Sequence, residues 1–306
     1  MQEPLVSICC ITYNHAPYIK QCIEGFLMQQ TTFPIEILIH DDCSTDGTTE
    51  IIRDYEKKYP DLIFPLYEEE NQYQKGKASE IDFYNYKRAR GKYIAYCEGD
   101  DYWTDPLKLQ KQVDFMEANP DYSVCFHEIA IYNAMNKLFA PSPTYSKDGD
   151  FDITVDHFLN GREKVAQPLS MVFRLGVYDY EWQEHYTRYC DTMEIFHLLR
   201  VGKGRFMRFV GGQYNLQEGG VSATNPDMRR SMESCEDFQE MWEYTHEKAL
   251  IKSRLDNFIW RLDICLRENN IKAYWTTVLW ALKNNFSLGL VVLRKAIKKI
   301  IIKRLK

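Results

Sequence analysis

The chain has no Cys-x-x-Cys pair, no Cys/His spacing suited to zinc, and no glycine-rich phosphate loop after its first apolar run. Its nine cysteines are scattered from Cys9 and Cys10 to Cys265, so neither disulfides nor a zinc module organise it, and a reducing compartment is expected. Basic charge is also short. Lys and Arg number 38 against 44 Asp and Glu, a formal net charge of −6, which argues against a nucleic-acid binder that must meet phosphates with a basic surface. No repeat or low-complexity tract is present. No uncharged stretch approaches the roughly 20 residues that a bilayer-spanning helix needs. The start, MQEPLVSICC, lacks a basic region followed by a long apolar core, which predicts no secretory signal and a cytoplasmic protein.

What is present fits a soluble globular protein. The 306 residues are 45% hydrophobic, 14% aromatic and 27% charged, enough for about two domains. LVSICCIT (residues 5–12) and IEILIHDD (35–42) are short apolar runs rich in strand formers, each followed by a cap and a helical apolar stripe: Ile19, Cys22, Ile23 and Phe26, then Ile51, Ile52 and Tyr55. DLIFPLYE and KYIAYC continue the strands, with a helix expected around residues 79–88 and another after Asp105 and Pro106. Strands alternating with helices predict an α/β fold with a mostly parallel sheet. Residues from about 140 to 160 read as loop-rich, QPLSMVFRL as a strand, DTMEIFHLLRVGKG as a helix closed by glycine, and everything from Asp227 onward as helical.

In parallel sheets ligands bind beyond the carboxyl ends of the strands. Three polar clusters, TYNH, HDDCSTDGT and EGDD, fall at such ends and are expected to converge. Glu98, Asp100 and Asp101 would repel one another unless a cation sat among them, and hard oxygen donors suit Mn²⁺ or Mg²⁺ bridging to a diphosphate. Neither GxGxxG nor GxxxxGK[ST] follows Thr12, so metal neutralisation is left as the way to hold phosphates.

VSICCITYNHAPYIKQCIEGFLMQQ, EILIHDDCSTDGT and RGKYIAYCEGDDYWTDPLKLQKQVDFME together resemble the signature blocks of glycosyltransferase family 2, inverting nucleotide-sugar transferases of GT-A fold. The resemblance covers most of residues 4–120 and continues more weakly to about residue 223. It implies a GT-A catalytic domain over residues 1–224, with a nucleotide-binding half (1–120) and an acceptor half (121–224), then a helical region over 225–306. Thr12, Tyr13 and Asn14 match positions lining the nucleoside pocket, and Asp42 the carboxylate that meets the uracil ring. Asp100 and Asp101 match the ribose and metal motif, with Asp101 the leading metal ligand and Glu98 beside them. Asp191 matches the catalytic base, with Glu194 as its substitute.

The match departs at GGQYNLQEGGVSA, where many members carry Arg and His in place of Asn215 and Gln217, so Gln217 or Glu218 would have to complete the metal shell. Arg174 is read either as facing acceptor or phosphates or as a solvated loop-end residue. His15 and His40 lie nearest this edge and receive no role. The expected reaction moves a sugar from a nucleotide-sugar, UDP-linked in the first instance, to a saccharide or lipid-linked saccharide of a surface polysaccharide. Two other readings stay open: a non-catalytic nucleotide-sugar-binding protein, and a glycoside hydrolase, since paired carboxylates also serve hydrolysis.

The end of the chain differs from the rest. Arg294 to Lys306 holds seven basic residues and no acidic one. Leu290, Leu293, Ile297, Ile300, Ile301 and Leu305 fall on one helical face, so the tail (288–306) reads as a basic amphipathic helix for peripheral contact with the inner face of an anionic membrane through residues 290–306.

Overall fold

Strand β1 (Val6–Thr12) is buried on both sides, as an apolar run without alternation requires. The computed structural model describes residues 2–75, 84–133, 138–140, 149–160, 167–216 and 227–305. Within it, β2 (Ile35–Asp41) and β4 (Tyr93–Glu98) flank β1 in parallel register, and β3 (Ile63–Tyr67) lies beyond β2. This is the parallel block expected from the sequence. The rest of the ten-stranded sheet is mixed, in the order β3-β2-β1-β4-β9-β6-β10-β5. β9 (Val172–Arg174) runs antiparallel between β4 and β6 (Tyr122–Asn133), whereas β10 (Lys203–Leu216) is parallel to β6 and receives the two-residue β5 (Tyr102–Trp103) on its other side. Two short strands, β7 (Leu138–Ala140) and β8 (Phe151–Ile153), pair with β6 and β10.

Helices cover both faces of this sheet. On one, Ile19, Ile23 and Phe26 of α1 (Ile19–Leu27), Ile52 of α2 (Thr48–Lys58) and Leu109 and Val113 of α3 (Lys108–Ala118) pack on Ile8, Cys10 and Ile39. Gly25 permits the close approach of α1 to β5, since a Cβ there would lie 3.0 Å from the Trp103 backbone. On the opposite face, Ile195 and Leu198 of α5 (Asp191–Val201) pack on Cys9, Leu38 and Phe126. The intervening α4 (Val155–Asn160) is short and has no buried residue. All nine cysteines are free thiols.

Several expectations change. Within the loop-rich stretch the described residues 149–160 hold regular elements: Phe151 and Ile153 alternate inward with Asp152 outward, which makes β8, and α4 follows. QPLSMVFRL divides into a 3₁₀ turn at Pro168–Ser170 and β9. Arg174 is a half-buried residue of β9 and not a solvated loop end. Its guanidinium donates to the Tyr122 carbonyl at 2.7 Å, the Tyr93 hydroxyl at 2.8 Å and the Asn119 carbonyl at 3.1 Å, tying β9 to the end of α3.

The chain divides into two compact units, Met1–Glu184 with Arg188–Gln217, and His185–Thr187 with Glu218–Lys306. The second is built from α6 (Asp227–Thr245), α7 (Leu250–Arg267), α8 (Ile271–Asn284) and α9 (Phe286–Leu305) around Phe258, Leu262, Tyr274, Val278, Val292 and Ala296. The Tyr274 hydroxyl donates to the Ala296 carbonyl at 2.7 Å and locks α8 to α9. The single apolar face expected for the tail splits: Leu293 and Ile300 turn inward, while Leu290, Ile297 and Ile301 stay exposed. The side chain of Leu305 lies outside the described residues.

Candidate active site

Parallel register decides where the polar clusters go. Thr12 sits opposite Asp41 and Ile11 opposite Glu98, so the loops after β1, β2 and β4 leave from one edge of the sheet. The first two loops are tied together. Asn14, at φ 55°, donates its backbone N–H to the Ser44 hydroxyl at 2.9 Å and accepts from the Thr45 N–H at 2.8 Å through Oδ1. The Asp42 N–H donates to the Thr12 carbonyl at 3.0 Å, and the Ala16 N–H to Asp46 at 2.9 Å. Asp41 accepts from the Ser44 N–H at 3.1 Å and from the Thr49 hydroxyl, which shapes the turn leading to α2. Thr12 and Asp42 are buried, and Tyr13 and Asn14 half-buried. Both carboxylate oxygens of Asp42 already accept backbone N–H groups, from Gln72 at 2.6 Å and Tyr73 at 3.1 Å, so its remaining lone pairs are what a base could reach.

The third loop carries the charge. One oxygen each of Glu98, Asp100 and Asp101 lies within 4.8 Å of the others, with Glu98 and Asp100 half-buried and Asp101 buried. Like charges at that separation repel by roughly 3–4 kcal/mol per pair at an effective dielectric near 20. Burial, reinforced by the charges of Asp100 and Glu98, pushes the Asp101 carboxyl well above the usual carboxylate range. His15 approaches Asp100 at 3.9 Å and Thr12 Oγ1 at 3.2 Å, but burial lowers its pKa, so at neutral pH it does not supply the missing positive charge. A divalent ion would. The donor set is carboxylate oxygen alone, which fits Mg²⁺ or Mn²⁺.

The acidic turn is held from two sides. Gly99 packs so tightly that a Cβ would come within 2.6 Å of Thr12 Oγ1, which excludes any side chain there. From β10, the Asn215 N–H donates to Asp101 Oδ1 at 2.8 Å, its side-chain amide donates to the Asp100 carbonyl at 2.6 Å, and its Oδ1 accepts from Gln213 at 3.0 Å. Asn215 thus buttresses the turn, a role that sequence reasoning missed because it marked the residue only as a departure. His15, given no role from the sequence, lies in the loop after β1 against Asp100 and Thr12. His40 pairs with Glu68 at 3.2 Å away from the carboxylates. Gln217 and Glu218 lie outside the described residues.

Asp191 opens α5, exposed, with Oδ1 accepting from the Thr192 N–H at 2.7 Å. Glu194, one turn further, is buried and accepts from the Tyr86 hydroxyl at 3.0 Å. The far end of α5 meets the start of β6, where the Ser123 hydroxyl donates to the Leu198 carbonyl at 2.6 Å. The helix runs back along the sheet before β10 begins, so its first turn points toward the edge where β1, β4 and β6 end.

A family model, Glycosyl transferase family 2, matches residues 7–189. The chain is 44% identical over 126 residues to the uncharacterised protein Rv1520 of Mycobacterium tuberculosis, covering 41% of this chain and 35% of that one. It is 39% identical over 117 residues to TuaG of Bacillus subtilis, a glycosyltransferase assigned provisionally to teichuronic acid biosynthesis, covering 37% and 42%. The match therefore spans well under half the length of these relatives. Among solved structures, TarS of S. aureus with UDP-GlcNAc superposes with a TM-score of 0.55 at 15% identity over 89% of this chain and 90% of that one. The mannosyltransferase PcManGT of Pyrobaculum calidifontis, with GDP-Man and Mn²⁺, gives 0.53 at 15% identity over 97% and 88%. These establish a shared GT-A fold, and the family model spans more than half of the sequence: the chain belongs to glycosyl transferase family 2.

Proposed function

We propose that the protein is a metal-dependent, inverting glycosyltransferase that moves a sugar from a nucleotide-sugar, UDP-linked in the first instance, to a saccharide or lipid-linked saccharide acceptor in surface polysaccharide synthesis. The observation that carries this reading is the meeting of Glu98, Asp100 and Asp101 within 4.8 Å at the edge shared with Thr12, Tyr13, Asn14 and Asp42. A bound Mn²⁺ or Mg²⁺ supplies a Lewis acid that neutralises charge on the diphosphate. Asp101 and Asp100 are the residues that would hold it, Glu98 adding charge beside them.

Thr12, Tyr13 and Asn14 frame the nucleoside, and Asp42 offers its free lone pairs to the base. In this reading Asp191, exposed at the start of α5, takes the proton. In the reaction the acceptor hydroxyl oxygen bonds to the anomeric carbon, the bond from that carbon to the diphosphate oxygen breaks, and the hydroxyl proton passes to the Asp191 carboxylate. Glu194 is less suited, because it is buried and already bonded to Tyr86. The polysaccharide assignment draws on TuaG, and contact of residues 290–306 with a membrane surface draws on the basic tail. No helix among the described residues is long and apolar enough to cross a membrane. A panel of nucleotide-sugars incubated with the protein and Mn²⁺ tests the reading: metal-dependent release of UDP, accelerated by a saccharide acceptor, is expected, and release from none of them would refute it.

A further inference from the structure

The last two helices are chemically unlike the rest of the chain. Residues 271–306 contain nine Lys and Arg and no Asp or Glu. Lys272, Lys283, Arg294, Lys295 and Lys298 are all exposed. Between these cations each helix leaves an apolar stripe in solvent. On α8 it is Ile271, Trp275 and Leu279, four residues apart; on α9 it is Phe286, Leu290, Ile297 and Ile301, spaced four, seven and four. Such spacings keep side chains on one side of a helix. Leu279 and Phe286 are 65% and 68% exposed, although Tyr274, Val278, Val292 and Ala296 already fill the core of this unit. The stripes are therefore surplus to folding.

We propose that α8 and α9 form a two-helix docking platform for an anionic lipid bilayer, seating Leu279, Phe286, Leu290, Ile297 and Ile301 among the acyl chains with Trp275 near the headgroups. This rests on the reading that the chain works at a membrane, and it moves the contact from the tail alone to the hairpin. Charge selects the occupant. Lys299 pairs with Asp263 of α7, but neither helix carries an acidic residue of its own, so their exposed cations are complementary to acidic headgroups, and the lysine stems can lie along the apolar stripe with their ammonium groups in the headgroup layer. A second copy of the chain would bring an equally cationic surface against this one and be repelled.

The test is flotation of the full chain with vesicles of phosphatidylcholine alone or mixed with phosphatidylglycerol, beside a variant carrying Leu279→Ser, Phe286→Ser and Ile297→Ser. These positions are exposed, and an unchanged melting curve and circular dichroism spectrum would verify the fold. Wild type is expected to float only with the anionic vesicles, the serine variant to bind at least tenfold more weakly, and a vesicle-induced blue shift in fluorescence to disappear in Trp275→Phe. No flotation of wild type with anionic vesicles would refute both the platform and the membrane reading. Equal flotation of wild type and the serine variant would refute the platform alone. A wild-type dimer that the serine variant converts to monomer would overturn the bilayer in favour of a second copy.

Discussion

The backbone N–H of Asn215 donates to Oδ1 of Asp101 at 2.8 Å, joining residues 114 positions apart. The same asparagine holds the carbonyl of Asp100. One residue of β10 therefore fixes two consecutive members of the acidic turn, and the departure from the arginine common in the family acquires a definite structural task.

Asn215→Ala keeps the backbone contact to Asp101 and removes the side-chain contact to Asp100. Groups that orient metal ligands typically contribute about 10–100-fold in affinity. A loss of that size in Mn²⁺ affinity is expected, read by titrating the metal against melting temperature, with the metal-free melting temperature lowered by only a few degrees. An unchanged Mn²⁺ midpoint would remove Asn215 from the site.

Asp191→Asn preserves the shape of the first turn of α5 and abolishes its basicity. General-base catalysis contributes about 10²–10⁴-fold, so transfer should fall by that much while UDP affinity stays within about twofold of wild type. Glu194→Gln should instead show its effect in stability, through the bond to Tyr86. If Asp191→Asn transfers sugar at the wild-type rate and Glu194→Gln does not, the two roles are exchanged.

Lys108 is fully buried, its ammonium 3.8 Å from the centre of the Trp103 ring and, among the described residues, without a hydrogen-bond acceptor. Burial pulls its pKa down to about 7, against about 10.4 for an unfolded lysine. Between these values the unfolded chain binds more protons, so the contribution of Lys108 to stability rises with pH through that window. Measured as wild type minus Lys108→Met in urea melts at about pH 7, 8 and 9, the difference should move toward wild type by up to about 1.4 kcal/mol per pH unit. A flat difference would contradict the burial argument.

Much of the fold was legible because its clearest signals are local. β1, β2 and β4 read as buried strands since their apolar runs are continuous, and α1 and α2 since their stripes follow helical spacing. β10 went unread although it is the longest strand: Gly204, Gly211 and Gly212 interrupt it, Arg205 and Arg208 break its apolar pattern, and its register against β6 shifts at Met207/Val210. That loss hid Asn215, because the contact to Asp101 exists only once β10 lies beside β5. The placement of Asp100 and Asp101 was legible for the opposite reason, since both directly follow a readable strand. In the tail, apolar residues surround so much of α9 that periodicity alone could not say which of them the hairpin core would take.

The central claim is that a divalent ion between Asp101 and Asp100 couples this fold to a nucleoside diphosphate. Isothermal titration of UDP into wild type and Asp101→Asn, each with Mn²⁺ and with EDTA, measures that coupling directly. Binding to wild type in Mn²⁺ alone is predicted, with affinity reduced about 100-fold or more in EDTA or in Asp101→Asn. Equal binding in all four titrations would contradict it.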